Sequence, residues 1–286
     1  MTKRRTRDRH LAKQAAKRRE VQRARRKTRT SWIVAIAFGA VILGAGAWIT
    51  LRQPQDFVVA ATPSAGVRSD GPTKIGTVQN EADIPSKVAC GATRPINAAS
   101  TKPQFDQAPT SDSLESNKQY QARIVTSCGA IVVHLDVDNA PIAVSNFVFL
   151  ARQGFYDGLW FHRIVPDFVI QTGDPTGTGS GGPGYQFTTE VNSTLSFAKD
   201  PFLLAYARGQ QLDTNGSQIF FTLGRQPNLA APENPYTAFG KVVQGEQVIR
   251  RIASVPTRSA SQAPSEKSLP TEAVYVESVT ISAAKQ

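Results

Sequence analysis

The alternation of apolar and polar positions divides the chain into four regions. Residues 31–51, "SWIVAIAFGAVILGAGAWITL", contain no charge over 21 positions. As a helix this run would cover about 30 Å, the thickness of a bilayer's hydrocarbon core. Residues 52–117 are rich in Pro, Ser, Thr, Ala and Gly with no sustained apolar period, which predicts a flexible stalk. From Tyr120 the pattern becomes compact. "YQARIVTSCGAIVVHLDVDNAP" holds two β-branched runs around Ser127-Cys128-Gly129, a hairpin signal. Pro141 suits a first helical turn, and Ile142, Val144, Phe147, Val148 and Leu150 supply an apolar face before Gly154. Short strands are predicted at "LWFHRIV", "FVIQTG", "FLLAYA", "SQIFFTL" and "AFGKVV", a second helix at "EQVIRRIA" and a last strand at "AVYVESVTIS". Many short strands with two helices predict a mostly β domain, a closed antiparallel barrel capped by the helices.

Charge changes how the first region is read. The chain of 286 residues carries a formal +11, but residues 1–30 hold 14 Lys or Arg against Asp8 and Glu20. That leaves 19 basic and 20 acidic residues beyond position 30, a net of −1, so the basicity belongs to the tail alone. A basic tail before an apolar run with Trp32 and Trp48 near its ends predicts a membrane-spanning signal anchor, contacting lipid through residues 31–51. The positive side stays in the cytoplasm and residues 52–286 lie outside it. Ala45-Gly46-Ala47 keeps a cleaved signal peptide open as the alternative. Nucleic acid is not an expected partner. Cys90 and Cys128, the two cysteines, are a disulfide candidate in an oxidising compartment, the alternative being two unrelated thiols.

The usual catalytic inventories are nearly empty. His10, His134 and His162 show no metal-ligand spacing, and Ser180 lacks the glycine two residues before it that a nucleophile elbow requires. Neither a metal nor another cofactor is expected. Gly177, Gly179 and Gly182 satisfy GxGxxG, but Pro183-Gly184 and a strand-like "YQFTTEV" follow instead of a helix. No helix N-terminus is available to receive a phosphate, so a nucleotide site is not expected.

The stretches "FHRIVPDFVIQTGDPTGTGSGG", "TNGSQIFFTL" and "FGKVV" occur in that order, and residues 118–286 resemble the cyclophilin family of peptidyl-prolyl cis-trans isomerases. The resemblance implies an eight-stranded barrel with a proline-binding groove on its outer face. It puts Arg163 in the place of the catalytic arginine and Gln171 at the glutamine that orients it. It lines the proline pocket with Phe168, Val169, Phe220 and Leu229, and places Gly177, Ala207 and Gln218 along the groove for residues before the proline.

The chain departs from many relatives at Tyr206-Ala207-Arg208, where they have Met-Ala-Asn. The short segment "GQQLD" follows, and the later loop is lengthened by "APENP". Asn228 stands at the usual tryptophan and Tyr236 at the usual histidine. Arg208 and Asn228 are therefore expected at substrate-contacting positions with altered chemistry, and Tyr236, which can still supply a hydroxyl and a ring face, among the catalytic residues.

Prolyl isomerisation suits such a residue set. The barrier, roughly 18–20 kcal/mol, comes from amide resonance, and a cation near the prolyl nitrogen weakens that resonance without any nucleophile. The expected function is isomerisation of X-Pro bonds in exported proteins by a monomeric domain. A catalytically weak module that holds Pro-containing segments of envelope proteins is the alternative.

Overall fold

The structure is a computed structural model that describes residues 74–77, 79, 83–111, 114–231, 233, 235–260 and 263–285. The basic tail, the apolar run at 31–51 and the first part of the expected stalk lie outside the described residues. Among the described residues no helix is long and apolar enough to cross a membrane.

The hairpin forms where the alternation predicts it. Strand β3 (Lys118–Thr126) buries Tyr120, Ala122, Ile124 and Thr126 and turns Gln119, Gln121 and Arg123 outward. This is the period of two expected of a strand with one dry face. It pairs antiparallel with β4 (Gly129–Leu135), from Tyr120 opposite Leu135 to Thr126 opposite Gly129. Helix α1 (Pro141–Arg152) buries Ala143, Val144, Phe147, Val148, Leu150 and Ala151, an apolar face wide enough to fill the interior.

Next come β5 (Arg163–Val165), β6 (Val169–Thr172), β7 (Leu203–Tyr206), β8 (Ile219–Thr222) and β9 (Ala238–Gln244). Helix α2 (Glu246–Ala253) and the last strand, β12 (Val276–Lys285), complete the domain. These strands form one eight-stranded antiparallel sheet in the order β12-β3-β4-β9-β7-β8-β6-β5. β5 and β12 are its edges and do not form a ladder with each other. The residues leading into them meet instead: Trp160 bridges Tyr275, Phe161 N–H donates to Val274 O at 2.8 Å, and Val276 N–H donates to Leu159 O at 2.7 Å. The expected barrel is thus a curled sheet with its edges tied together by this short seam. The core inside it stacks Phe147, Tyr156, Tyr206 and Phe239, with ring centroids 4.6–5.4 Å apart along that chain of contacts.

Two features correct the sequence reading. The expected stalk does not run free to residue 117. β1 (Lys74–Thr77) pairs with β2 (Lys102–Gln104), and Ala89 and Phe105 join the main core. Gln79 is buried, its Nε2 donating to Ala98 O and Gly158 O while its Oε1 accepts from Trp160 N–H. Cys90 and Cys128 are joined by a disulfide. These residues dock one at a time through a glutamine, a cysteine or a single ring, so no apolar period announces them.

The second correction is an added hairpin of β10 (Thr257–Ala260) and β11 (Ala263–Pro270). Its sequence is polar, with Leu269 the large apolar residue that anchors it against Ala98, Trp160, Ala273 and Tyr275.

Candidate active site

Strand register assembles the site. Arg163 on β5 lies opposite Gln171 on β6, Gln171 lies opposite Phe220 on β8, and Phe220 lies opposite Ala205 on β7. A side-chain row therefore crosses four strands on one face. The link from β5 to β6 is tight, with Asp167 at φ +59° and Phe168 N–H donating back to Val165 O at 3.1 Å. This turn sets Phe168 and Val169 at the end of the row.

The floor is apolar. Val169 and Phe220 are buried, and Phe168, Ala207, Leu229 and Tyr236 are half-buried hydrophobic neighbours of the same cluster. Tyr236 meets Phe220 edge-on at 5.8 Å between centroids, and Phe197 stacks behind Phe220 at 6.3 Å. Arg163, with a quarter of its side chain exposed, holds its guanidinium carbon 6.0 Å from the Phe168 ring centre. The result is an apolar patch with the Arg163 cation at its edge.

Polar contacts hold that cation in a chain. Arg163 Nη1 donates to Gln171 Oε1 at 3.4 Å, Gln171 Nε2 donates to Gln218 Oε1 at 2.9 Å, and Gln218 Nε2 donates to the Gly179 and Gly181 carbonyls at 3.0 and 2.9 Å. On its other side Arg163 is gripped by Glu266 of β11, Nε to Oε1 and Nη2 to Oε2, both at 2.9 Å.

The glycine loop is already filled by an anion of its own. The buried Asp174 carboxylate accepts the Thr176 N–H and the Gly179 N–H, while Gly177 N–H donates to the Asp174 carbonyl. Amides used in this way are not available to a phosphate. His162 is buried behind Arg163. Burial pushes its pKa down, outweighing the opposing charge of Asp174.

The departures fall in two places. Tyr206 is fully buried and faces inward, where its hydroxyl accepts from Asn146 Nδ2 at 2.8 Å. Arg208 spends its guanidinium on the lengthened loops, with Nε and Nη2 on Pro235 O at 3.0 and 2.9 Å and Nη1 on Gly209 O at 3.0 Å. Its Cζ lies 4.8 Å from the Tyr236 ring centre. Asn228 is exposed on the 3-10 turn Pro227–Leu229. Arg163, Phe168, Val169, Gln171, Phe220, Leu229, Tyr236, Ala207 and Gln218 thus come together, with the buried Gly177 in the adjoining loop. Arg208 acts as a tie between loops, and Asn228 stands on the rim. Sequence reasoning missed Asp174 and Glu266. The Asp-x-Thr spacing of the first is a readable turn signal, whereas nothing local marks the second.

Comparison with known proteins decides the family. A sequence model of the cyclophilin type peptidyl-prolyl cis-trans isomerases matches residues 121–281. The chain belongs to this family. The peptidyl-prolyl cis-trans isomerase A of Mycobacterium tuberculosis is 41% identical over 176 residues, 56% of this chain and 91% of that protein. A peptidyl-prolyl cis-trans isomerase of Arabidopsis thaliana is 41% identical over 140 residues, covering 48% of this chain and 82% of its own length. The crystal structure of a Cryptosporidium parvum cyclophilin superposes with a TM-score of 0.51 at 30% identity, over 57% of this chain and 98% of that one. A second structure of that protein was obtained in the presence of the dipeptide Ala-Pro. The cyclophilin domain of the present chain carries its arginine, glutamine and apolar floor on neighbouring strands of the shared fold.

Proposed function

We propose that the groove binds a proline-containing segment and accelerates rotation about its X-Pro bond. The observation that carries this is Arg163, held at the edge of a floor made by Val169 and Phe220 and bordered by Phe168, Leu229 and Tyr236. The chain is a peptidyl-prolyl isomerase by family, and these residues supply what the reaction requires.

A proline ring against the floor loses water and is fixed, while the acyl part before it stays free to swing. An Arg163 N–H directed at the prolyl nitrogen favours the pyramidal nitrogen of the twisted amide over the planar ground state. That interaction is stronger in the transition state, which is the condition for catalysis. Arginine keeps its charge at any working pH, so no tuned acid or base is needed. Gln171, itself held by Gln218, holds the arginine, and Ala207 leaves room for the residue before the proline.

The test is exchange of a prolyl peptide with the full chain, wild type against Arg163→Ala. Loss of a transition-state donor predicts a fall of about 100-fold in kcat/KM. Equal acceleration by both proteins would remove Arg163 from the mechanism, and no acceleration by the wild type would leave a Pro-binding module.

The uncharged run at 31–51 behind a basic tail supports an anchor with the isomerase outside the cytoplasm, and hence unfolded exported chains as substrates. There, uncatalysed isomerisation takes tens of seconds or longer. The seam at Trp160 and Tyr275 supports reading the curled sheet as a functionally closed barrel.

A further inference from the structure

The β10–β11 hairpin contributes one charged side chain to the groove. Glu266 meets Arg163 through two parallel hydrogen bonds of 2.9 Å, and both side chains are about three-quarters covered, at 26% and 22% exposed. The fork geometry fixes the plane of the guanidinium as well as its position. It occupies Nε and Nη2, so Nη1 is directed to Gln171 and, on the isomerase reading, to the substrate.

We propose that Glu266 is a positioning residue for the reaction, which holds the Arg163 guanidinium in the orientation that the transition state uses. The proposal rests on the isomerase reading of the same groove. Without Glu266, Arg163 would be steered by one 3.4 Å bond to Gln171 and by its 6.0 Å approach to Phe168, contacts that leave the plane free to rotate. With it, the chain Glu266, Arg163, Gln171, Gln218 runs unbroken from β11 to the carbonyls of the glycine loop.

The placement of Glu266 is itself built into the fold. Its hairpin is seated by Leu269 against Trp160, whose backbone pairs with Tyr275 at the seam three residues before Arg163 begins β5. The hairpin that carries Glu266 therefore packs on the indole of the segment that leads into Arg163. Burial pushes the Glu266 carboxyl up, but hydrogen bonds from Arg163 and Ser268 and the charge of Arg163 bring it below its ordinary value, so it faces the arginine as a carboxylate.

A positioning role and a purely structural one make different predictions. Glu266→Ala should lower kcat/KM about tenfold, with the loss in kcat and the dissociation constant of an Ala-Pro peptide changed by less than twofold. Glu266→Gln keeps one acceptor for the guanidinium and one side-chain shape, and should recover about half of the loss on a logarithmic scale. In an Arg163→Ala background, Glu266→Ala should produce no further fall.

The measurement is peptide exchange with the full chain for the wild type, the three single variants and the double variant. An active wild type whose activity is unchanged by either Glu266 substitution overturns the proposal alone. So does the same fold-loss with and without Arg163, which would assign Glu266 to the support of the hairpin. A wild type that does not accelerate exchange overturns the isomerase reading and this proposal with it, a result separable from the other two.

Discussion

Gly177 combines a backbone φ of +73° with a neighbour that cannot move: a Cβ built there would lie 2.5 Å from Nε1 of the fully buried Trp160. Gly177→Ala should therefore cost about 1–3 kcal/mol through overpacking, before the cost of the left-handed backbone is added. Denaturant unfolding should show a lower midpoint at unchanged slope, and an unchanged midpoint would mean that the loop rearranges freely. The same residue scale explains what could be read from the letters. Arg163, Phe168 and Gln171 are five and eight positions apart in one hairpin, so their chemistry is local and visible. Glu266 is 103 positions from its partner and sits between Ser265 and Lys267 in a polar run, where a carboxylate carries no signal of its own. Arg208 was legible as a residue out of pattern, but its contacts with Pro235 and Tyr236 depend on how two lengthened loops meet.

Helix α1 depends on a residue that its own sequence does not contain. Ala140 precedes it and caps nothing, and the free N–H groups of Ile142 and Ala143 donate instead to Glu190 Oε1 and Oε2 at 3.1 and 2.8 Å. A carboxylate there also faces the positive end of the helix dipole. Glu190→Ala should destabilise the fold by about 1–2 kcal/mol, in line with loss of a helix cap. Thermal unfolding by circular dichroism measures this, and a shift no larger than that of a surface substitution would remove the cap from the account. The helices and β3 are legible because burial imposes a period on them, and β7 and β8, buried at every position, are legible as short apolar runs. The β10–β11 hairpin was not, because a ribbon held mainly by Leu269 needs no alternating apolar face.

For the molecule as a whole, the disulfide between Cys90 and Cys128 ties the N-terminal segment covalently to the domain. The bridge encloses a sequence separation of 38. By the chain-entropy estimate a loop of that length contributes about 4 kcal/mol. Reduction should lower the unfolding midpoint accordingly, and a Cys90→Ala/Cys128→Ala variant should reproduce the loss and show no further response to reductant. A reductant effect of the same size on that variant would place the sensitivity elsewhere. The docking of residues before 117 is not legible in the sequence because composition reports average polarity, whereas docking here uses Gln79, Ala89, Ala98, Lys102 and Phe105 one by one.

The bridge also alters the route that force takes through the chain. Once the docking of β1 and Gln79 has given way, a pull transmitted from the N-terminal side reaches Cys90 and passes through sulfur to Cys128 at the tip of the β3–β4 hairpin, leaving residues 91–127 off the tensioned path. About 130 Å of contour, at the extended length per residue, is thereby kept out of reach until the bond is reduced. Tension that arrives at the bridge is then delivered to one turn of the sheet and not along residues 91–127.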